Sequence, residues 1–155
     1  MNNYFLKAKN QKLDKRSKHL RSIILNGLKK SKKGHVGSSF SMLEIVRVIY
    51  DNFLEYNQNK NRNSNRNRLI ISPGWAALAQ YALLIDKKII KKNTIDNYCN
   101  TNSILGGCLD SDIPGVEAST GSCGHGLPIA VGLAKSLKLK KIDKIVYVIV
   151  GDGEL

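Results

Sequence analysis

The stretch IVYVIVGDGEL, residues 145–155, decides the fold class. Its first six residues, Ile145 to Val150, are apolar or aromatic and favour extended backbone. The run breaks at Gly151-Asp152-Gly153. A short, unbroken apolar run bounded by glycine is the pattern of a strand buried in a parallel sheet. Glycines at the end of such a strand let backbone approach a ligand closely, and Asp152 would help to hold it. On this tripeptide alone a solvated turn is the commoner outcome, because Gly-Asp-Gly is frequent in turns.

Upstream, apolar strands alternate with helical patterns. RLIIS, residues 68–72, is a second short strand, ending at Pro73-Gly74. WAALAQYALLI, residues 75–85, is rich in Ala and Leu and predicts a strong helix. Leu20, Ile23, Ile24 and Leu28 recur at helical spacing within residues 11–30, with Lys and Arg between them. Ser41 and Glu44 form an S-x-x-E pair that predicts a capping box opening a helix through about Leu54. A further short helix is expected near Asn93, and LPIAVGLAKSLKL, residues 127–139, reads as a helix with Pro128 in its first turn. Residues 100–126 form a long Gly-rich connection, and long irregular connections in compact domains are often functional. The Asn-rich tract at residues 55–68 reads as an exposed loop. These elements predict an α/β fold with a mainly parallel sheet flanked by helices. The strands at 68–72 and 144–150 are expected to be parallel neighbours or near-neighbours.

Length and composition bound the rest. The 155 residues are one domain's worth, 42% hydrophobic and 24% charged. The net charge of +13 raises nucleic acid or an acidic membrane as partners. The basic residues are spread along the chain among many Asn and Ile, so a solvated surface is the favoured reading and no specific nucleic-acid partner is expected. Cys99, Cys108 and Cys123 are odd in number and lack CxxC spacing, which fits a reducing, cytoplasmic setting without disulfides or zinc. The first sixteen residues contain no apolar core of a signal peptide, and no apolar run reaches transmembrane length, so no membrane association is expected.

Four Gly-containing segments occur in order: GHVGSSFSMLEI from Gly34, RLIISPGWAALAQYALL from Arg68, PGVEASTGSCGHGLPIAVGLA from Pro114, and the terminal GDGEL. Together they resemble the N-terminal, cofactor-binding part of transketolase, a thiamine-diphosphate enzyme. The resemblance runs from about residue 15 to the end. It implies a transferase of carbohydrate metabolism that moves a two-carbon ketol unit from a ketose to an aldose. It also implies residue roles. Asp152 matches the magnesium ligand and Gly153 the residue touching the diphosphate. Gly121, Ser122 and Cys123 match the stretch whose backbone meets the aminopyrimidine. His35 matches a histidine that contacts substrate near the reacting carbon, where an imidazole can exchange a proton. His125 is assigned an indirect, structural role. Cys123 has no base near it in sequence and is expected to be a packed, inert thiol.

Two departures qualify the match. Trp75 stands where the family usually has a histidine, and Trp cannot shuttle protons near neutral pH. It fills space beside the cofactor, reshapes the sugar pocket, or anchors its helix in the core. The usual five- and seven-carbon sugar phosphates are therefore in question, and a sugar phosphate or related ketose of another kind is expected. Second, the Asn and backbone carbonyl that complete the family's magnesium site are absent, as is the pyrimidine-binding domain. Residues 1–155 are thus expected to be the N-terminal portion of a cofactor domain, inactive alone, working in an oligomer with a pyrimidine-binding C-terminal half on the same or a separate chain. The alternatives are another thiamine-diphosphate synthase acting on a 2-keto acid, or a non-catalytic truncated subunit.

Overall fold

The computed structural model of the protein describes residue 7, residues 9–55 and residues 65–155. Most of the Asn-rich tract lies outside the described residues. Among the described residues, four α-helices and two strands carry the fold: α1 Lys15–Ser31, α2 Val36–Asn52, β1 Arg68–Ile71, α3 Ala77–Asp86, α4 Gly126–Leu139 and β2 Val146–Ile149. Short 3-10 turns cover Gly74–Ala76, Lys92–Asn97 and Asp152–Glu154.

β1 and β2 pair in parallel, with Arg68 opposite Val146 and Ile71 opposite Ile149, as the apolar runs predict. This register stacks Leu69 beside Tyr147 and Ile71 beside Ile149 on one face. That face packs into the main core with Leu20 and Ile24 of α1, Leu43 and Val46 of α2, and Leu78, Leu83 and Leu84 of α3. Ile70 and Val148 alternate to the opposite face, the side left to α4, which packs on both strands. α3 is the central helix: Ala77 to Ile85 are all buried, so its near-uniform apolarity replaces the amphipathic stripe of a surface helix.

α1 starts where Asp14 accepts a hydrogen bond from the Ser17 backbone N–H at 2.7 Å. It ends at Lys32 in the left-handed conformation. Two residues on, Gly34 takes φ +125°, and a Cβ there would press on Leu28 and the Tyr98 hydroxyl. This tight turn delivers the chain straight into α2, which begins at Val36 with His35 as N-cap. The expected capping box at Ser41 and Glu44 is therefore incorrect. Ser41 lies inside the helix and donates to the Ser38 carbonyl. Glu44 instead faces α1, where it pairs with Arg21 and accepts from Ser17 Oγ at 3.0 Å. Burial of Ser39, Met42 and Leu43 against the other helices starts α2 early, overriding the local signal.

A charged network laces the outer ends of the three helices. Arg16 binds Asp51 at 2.6 Å and Asp86 at 2.7 Å, and Lys87 also reaches Asp51 at 2.7 Å. Partial burial alone would raise the Asp51 pKa, but hydrogen bonds from Arg16 and Lys87 outweigh it and hold the pKa below its ordinary 3.8. A lowered folded pKa gives stability that is complete above the unfolded value and is lost as pH falls through the folded one. Asp51→Asn should therefore lower the urea midpoint at pH 6, and the gap from the parent should close as pH falls below 3.8. A gap that persists unchanged in acid would show that the ion pairs contribute nothing.

Candidate functional site

The site forms beyond the carboxyl ends of the two strands, where parallel sheets place their ligands. After Ile71 the ladder continues once more, Ser72 N–H donating to the Ile149 carbonyl at 2.9 Å. Ser72 is fully buried. Its hydroxyl is a relay: it accepts from the Gly126 N–H at 3.1 Å and donates to Glu154 Oε1 at 2.8 Å. Glu154 Oε1 also accepts from the Gly124 N–H at 3.1 Å, and Oε2 accepts from the Gly151 N–H at 2.7 Å. One carboxylate thus joins the end of β1, the Gly-rich loop and the turn after β2. Partial desolvation would raise its pKa, but the bonds from Gly151, Ser72 and Gly124 prevail and hold it below the ordinary 4.5.

Backbone contacts fix the loop as closely. Thr120 Oγ1 donates to the Ile71 carbonyl at 2.6 Å, and Leu109 N–H donates to the Gly74 carbonyl at 3.2 Å. A Cβ at Gly74 would overlap the Thr120 carbonyl, and one at Gly126 would overlap Ser72. Glycine is required at both positions for close approach. Gly121 takes φ +145° and packs on the Cys108 side chain. Beside it opens a cleft of about 320 Å³ lined by Ser103, Gly106, Cys108 and Asp110 among others. Further back, Glu117 pairs with buried Arg66 and with Arg68 at 3.1 Å, so the Gly-rich connection is anchored at both ends of β1.

Gly121, Ser122, Cys123, Asp152 and Gly153 are brought to this one end of the sheet. Ser122, Asp152 and Gly153 are exposed. Cys123 is exposed too, which corrects the expectation of a packed thiol. It lies where the loop turns between Gly121 and Gly124, both at positive φ, and the chain there stands away from the core. His35 is exposed at the start of α2 and, among the described residues, has no hydrogen bond or ion pair to the loop or the terminal turn. The body of α2 does pack on the Gly74–Ala76 turn, which adjoins Thr120 and Gly121. Trp75 is half-buried in that turn and is not among the buried core residues.

Sequence reasoning missed Ser72, Thr120 and Glu154. The one local hint was Glu154 three residues after Gly151, the spacing by which a carboxylate reaches back to a turn's first N–H. The bonds to Ser72 and Gly124 carry no local signal, since they span 82 and 30 residues.

A parallel sheet with glycine-rich backbone and one outward carboxylate beyond its strand ends defines an α/β protein of the class that places its ligand at that end of the sheet. The chain belongs to the transketolase family: residues 13–155 match the model described as transketolase, thiamine diphosphate binding domain. It is 33% identical over 142 residues to an apulose-4-phosphate transketolase subunit of Phocaeicola vulgatus, covering 92% of this chain and 50% of that protein. It is 29% identical over 136 residues to a 6-deoxy-6-sulfo-D-fructose transketolase subunit of a Clostridium species, covering 87% and 50%. Transketolase from Campylobacter jejuni superposes with a TM-score of 0.79 at 25% identity, covering 99% of this chain and 24% of that one. The chain spans about half the length of these two subunit relatives and about a quarter of that transketolase.

The residues present are compatible with a metal-bridged diphosphate. The Asp152 side chain is exposed and has no hydrogen bond or ion pair among the described residues. A Cβ on Gly153 would meet nothing within 4 Å, so open space lies before that backbone. A carboxylate oxygen is the right donor for a hard cation. Among the described residues no three His, Cys, Asp or Glu side chains converge on a metal site, so Asp152 would be one donor among water and phosphate oxygens. No helix among the described residues is long and apolar enough to cross a membrane.

Proposed function

We propose that this chain supplies the diphosphate-binding half of a transketolase-type enzyme that transfers a two-carbon ketol unit from a ketose to an aldose. The observation that carries this reading is the Glu154 carboxylate, which ties the Gly-rich loop to the turn bearing Asp152. Bound thiamine diphosphate supplies the electron sink for carbon–carbon cleavage. The protein contributes position and charge. Asp152 would hold magnesium, with Gly153 admitting the diphosphate and the Gly121–Cys123 backbone facing the aminopyrimidine. Such a metal offsets the repulsion between Asp152 and the anionic cofactor. His35, exposed at its helix start, would donate or accept a proton at the substrate oxygen.

The missing half of the site would come from a pyrimidine-binding partner, on a further stretch of the same chain or on a separate polypeptide. The word subunit in the relatives' names supports the second arrangement. Residues 1–155 alone would then be inactive, and the working form is a cytoplasmic oligomer. The relatives named for apulose 4-phosphate and a sulfofructose favour a ketose bearing a terminal anionic group as donor. Trp75, half-buried beside the loop, is proposed to shape that sugar pocket.

The test is calorimetric titration of thiamine diphosphate into the complete protein with its partner, with and without magnesium. Magnesium-dependent binding is expected, and its absence would sink the reading. In the same preparation Trp75→His should shift the kcat/KM ratio between donor ketoses while leaving cofactor affinity close to the parent's. A cofactor affinity that collapses while the donor ratio stays fixed would place Trp75 against the cofactor instead.

A further inference from the structure

We infer that Glu154 is a positioning residue for the cofactor site: its carboxylate sets the Gly121–Gly126 loop against the turn that presents Asp152. This rests on the proposed cofactor reading and extends it to a residue with no part in the metal or substrate contacts proposed above.

Three donors from three segments converge on one carboxylate: Gly151 N–H on Oε2, and Ser72 Oγ–H and Gly124 N–H on Oε1. A fourth, Gly126 N–H, is tied in through Ser72 Oγ. A carboxylate offers two acceptor oxygens and no donor, so it accommodates all three donors without conflict. An amide of the same shape offers one oxygen and turns an NH2 group toward a donor. No neutral residue of this size can replace it. A residue serving only to cap its own 3-10 turn would need the Gly151 bond alone. The two bonds beyond that turn reach residues 82 and 30 positions away, both flanking the proposed cofactor-binding backbone. The contact is also geometric: a Cβ on Gly124 would lie 3.4 Å from the Glu154 carbonyl oxygen, so loop and turn already touch. Because Asp152 sits two residues from Glu154 in the same turn, releasing the carboxylate would free the loop and the proposed metal ligand relative to one another.

The test uses Glu154→Ala, which removes both acceptor oxygens, in the complete protein with its partner. It has two readouts: hydrogen exchange at the Gly124 and Gly126 amides without cofactor, and calorimetric thiamine diphosphate affinity with magnesium. Charge-assisted bonds are the strong ones, so exchange at Gly124 should accelerate about tenfold or more, and affinity should fall by a similar factor. Ser72→Ala serves as a second variant in case Glu154→Ala folds poorly. It should accelerate Gly126 exchange and leave the Gly151 amide protected. Unchanged exchange at Gly124 in Glu154→Ala would overturn the latch. Faster exchange with parent-like affinity would overturn the positioning role and leave Glu154 a structural tie. A parent that binds no thiamine diphosphate would remove the cofactor reading and the positioning role with it, while the exchange data would still decide whether the latch exists.

Discussion

Asp152→Ala should abolish magnesium-dependent binding of thiamine diphosphate in the complete protein. The carboxylate stands outward at the end of β2 with no partner among the described residues, and no three His, Cys, Asp or Glu side chains among them converge on a metal site elsewhere. Its removal would take away the one metal ligand proposed among these residues. Losing a group that merely supports a metal ligand already costs about 10–100-fold in affinity, so losing the ligand should cost at least about 100-fold. Thermal stability without cofactor should not change, because the exposed side chain packs on nothing. Calorimetry in excess magnesium reads the affinity, and a melt without cofactor reads the stability. An alanine variant that binds as tightly as the parent would reduce Gly-Asp-Gly to a turn.

Gly74→Ala should be the most damaging single-methyl change for stability. The added Cβ would overlap the Thr120 carbonyl and sit 2.8 Å from the Gly121 N atom. These are backbone atoms, held by the Thr120 bond to Ile71 and the Leu109 bond to Gly74, and they have no rotamer by which to retreat. Overpacking a well-filled site costs about 1–3 kcal/mol, and a backbone clash should reach the top of that range or exceed it. Gly153→Ala is the matched control. Its Cβ would enter open space, so stability should stay within about 0.5 kcal/mol of the parent while cofactor binding suffers. Denaturant unfolding of the two variants separates the predictions. Equal stabilities would mean that the Thr120 segment moves aside freely.

The parts of the fold legible in the sequence were those written in local periodicity. Ile145 to Val150 and Leu69 to Ile71 are apolar runs with glycine or proline just beyond them, and they became parallel neighbours. The Ala- and Leu-rich segment after Trp75 became the central helix. The start of α2 was misread because Ser41 and Glu44 have the spacing of a cap, while their use is tertiary: Glu44 is claimed by Arg21 and Ser17 across a helix interface. The candidate site was half legible. Its glycines and Asp152 stand in recognisable order, so the loop and the turn were found. Glu154, Ser72 and Thr120 were not, because their meaning lies in bonds between segments that meet only when the sheet forms. Cys123 was misjudged for the same reason. Its exposure depends on how Gly121 and Gly124 bend the loop, which residue type alone does not report.

The pairing of β1 with β2 sets an order of events during synthesis. Arg68 meets Val146 only after the whole Gly-rich connection and α4 have been made. Non-local parallel pairing is slow, because a long loop must be closed before any contact rewards it. The helical core of α1, α2 and α3 is complete in sequence well before that, and β1 with it. The ligand end of these residues therefore assembles on a nascent chain after the helical core. Until β2 emerges, the edge of β1 that it will cover is bare to other chains, a template for misassembly that the arrival of residues 146–149 closes on that side.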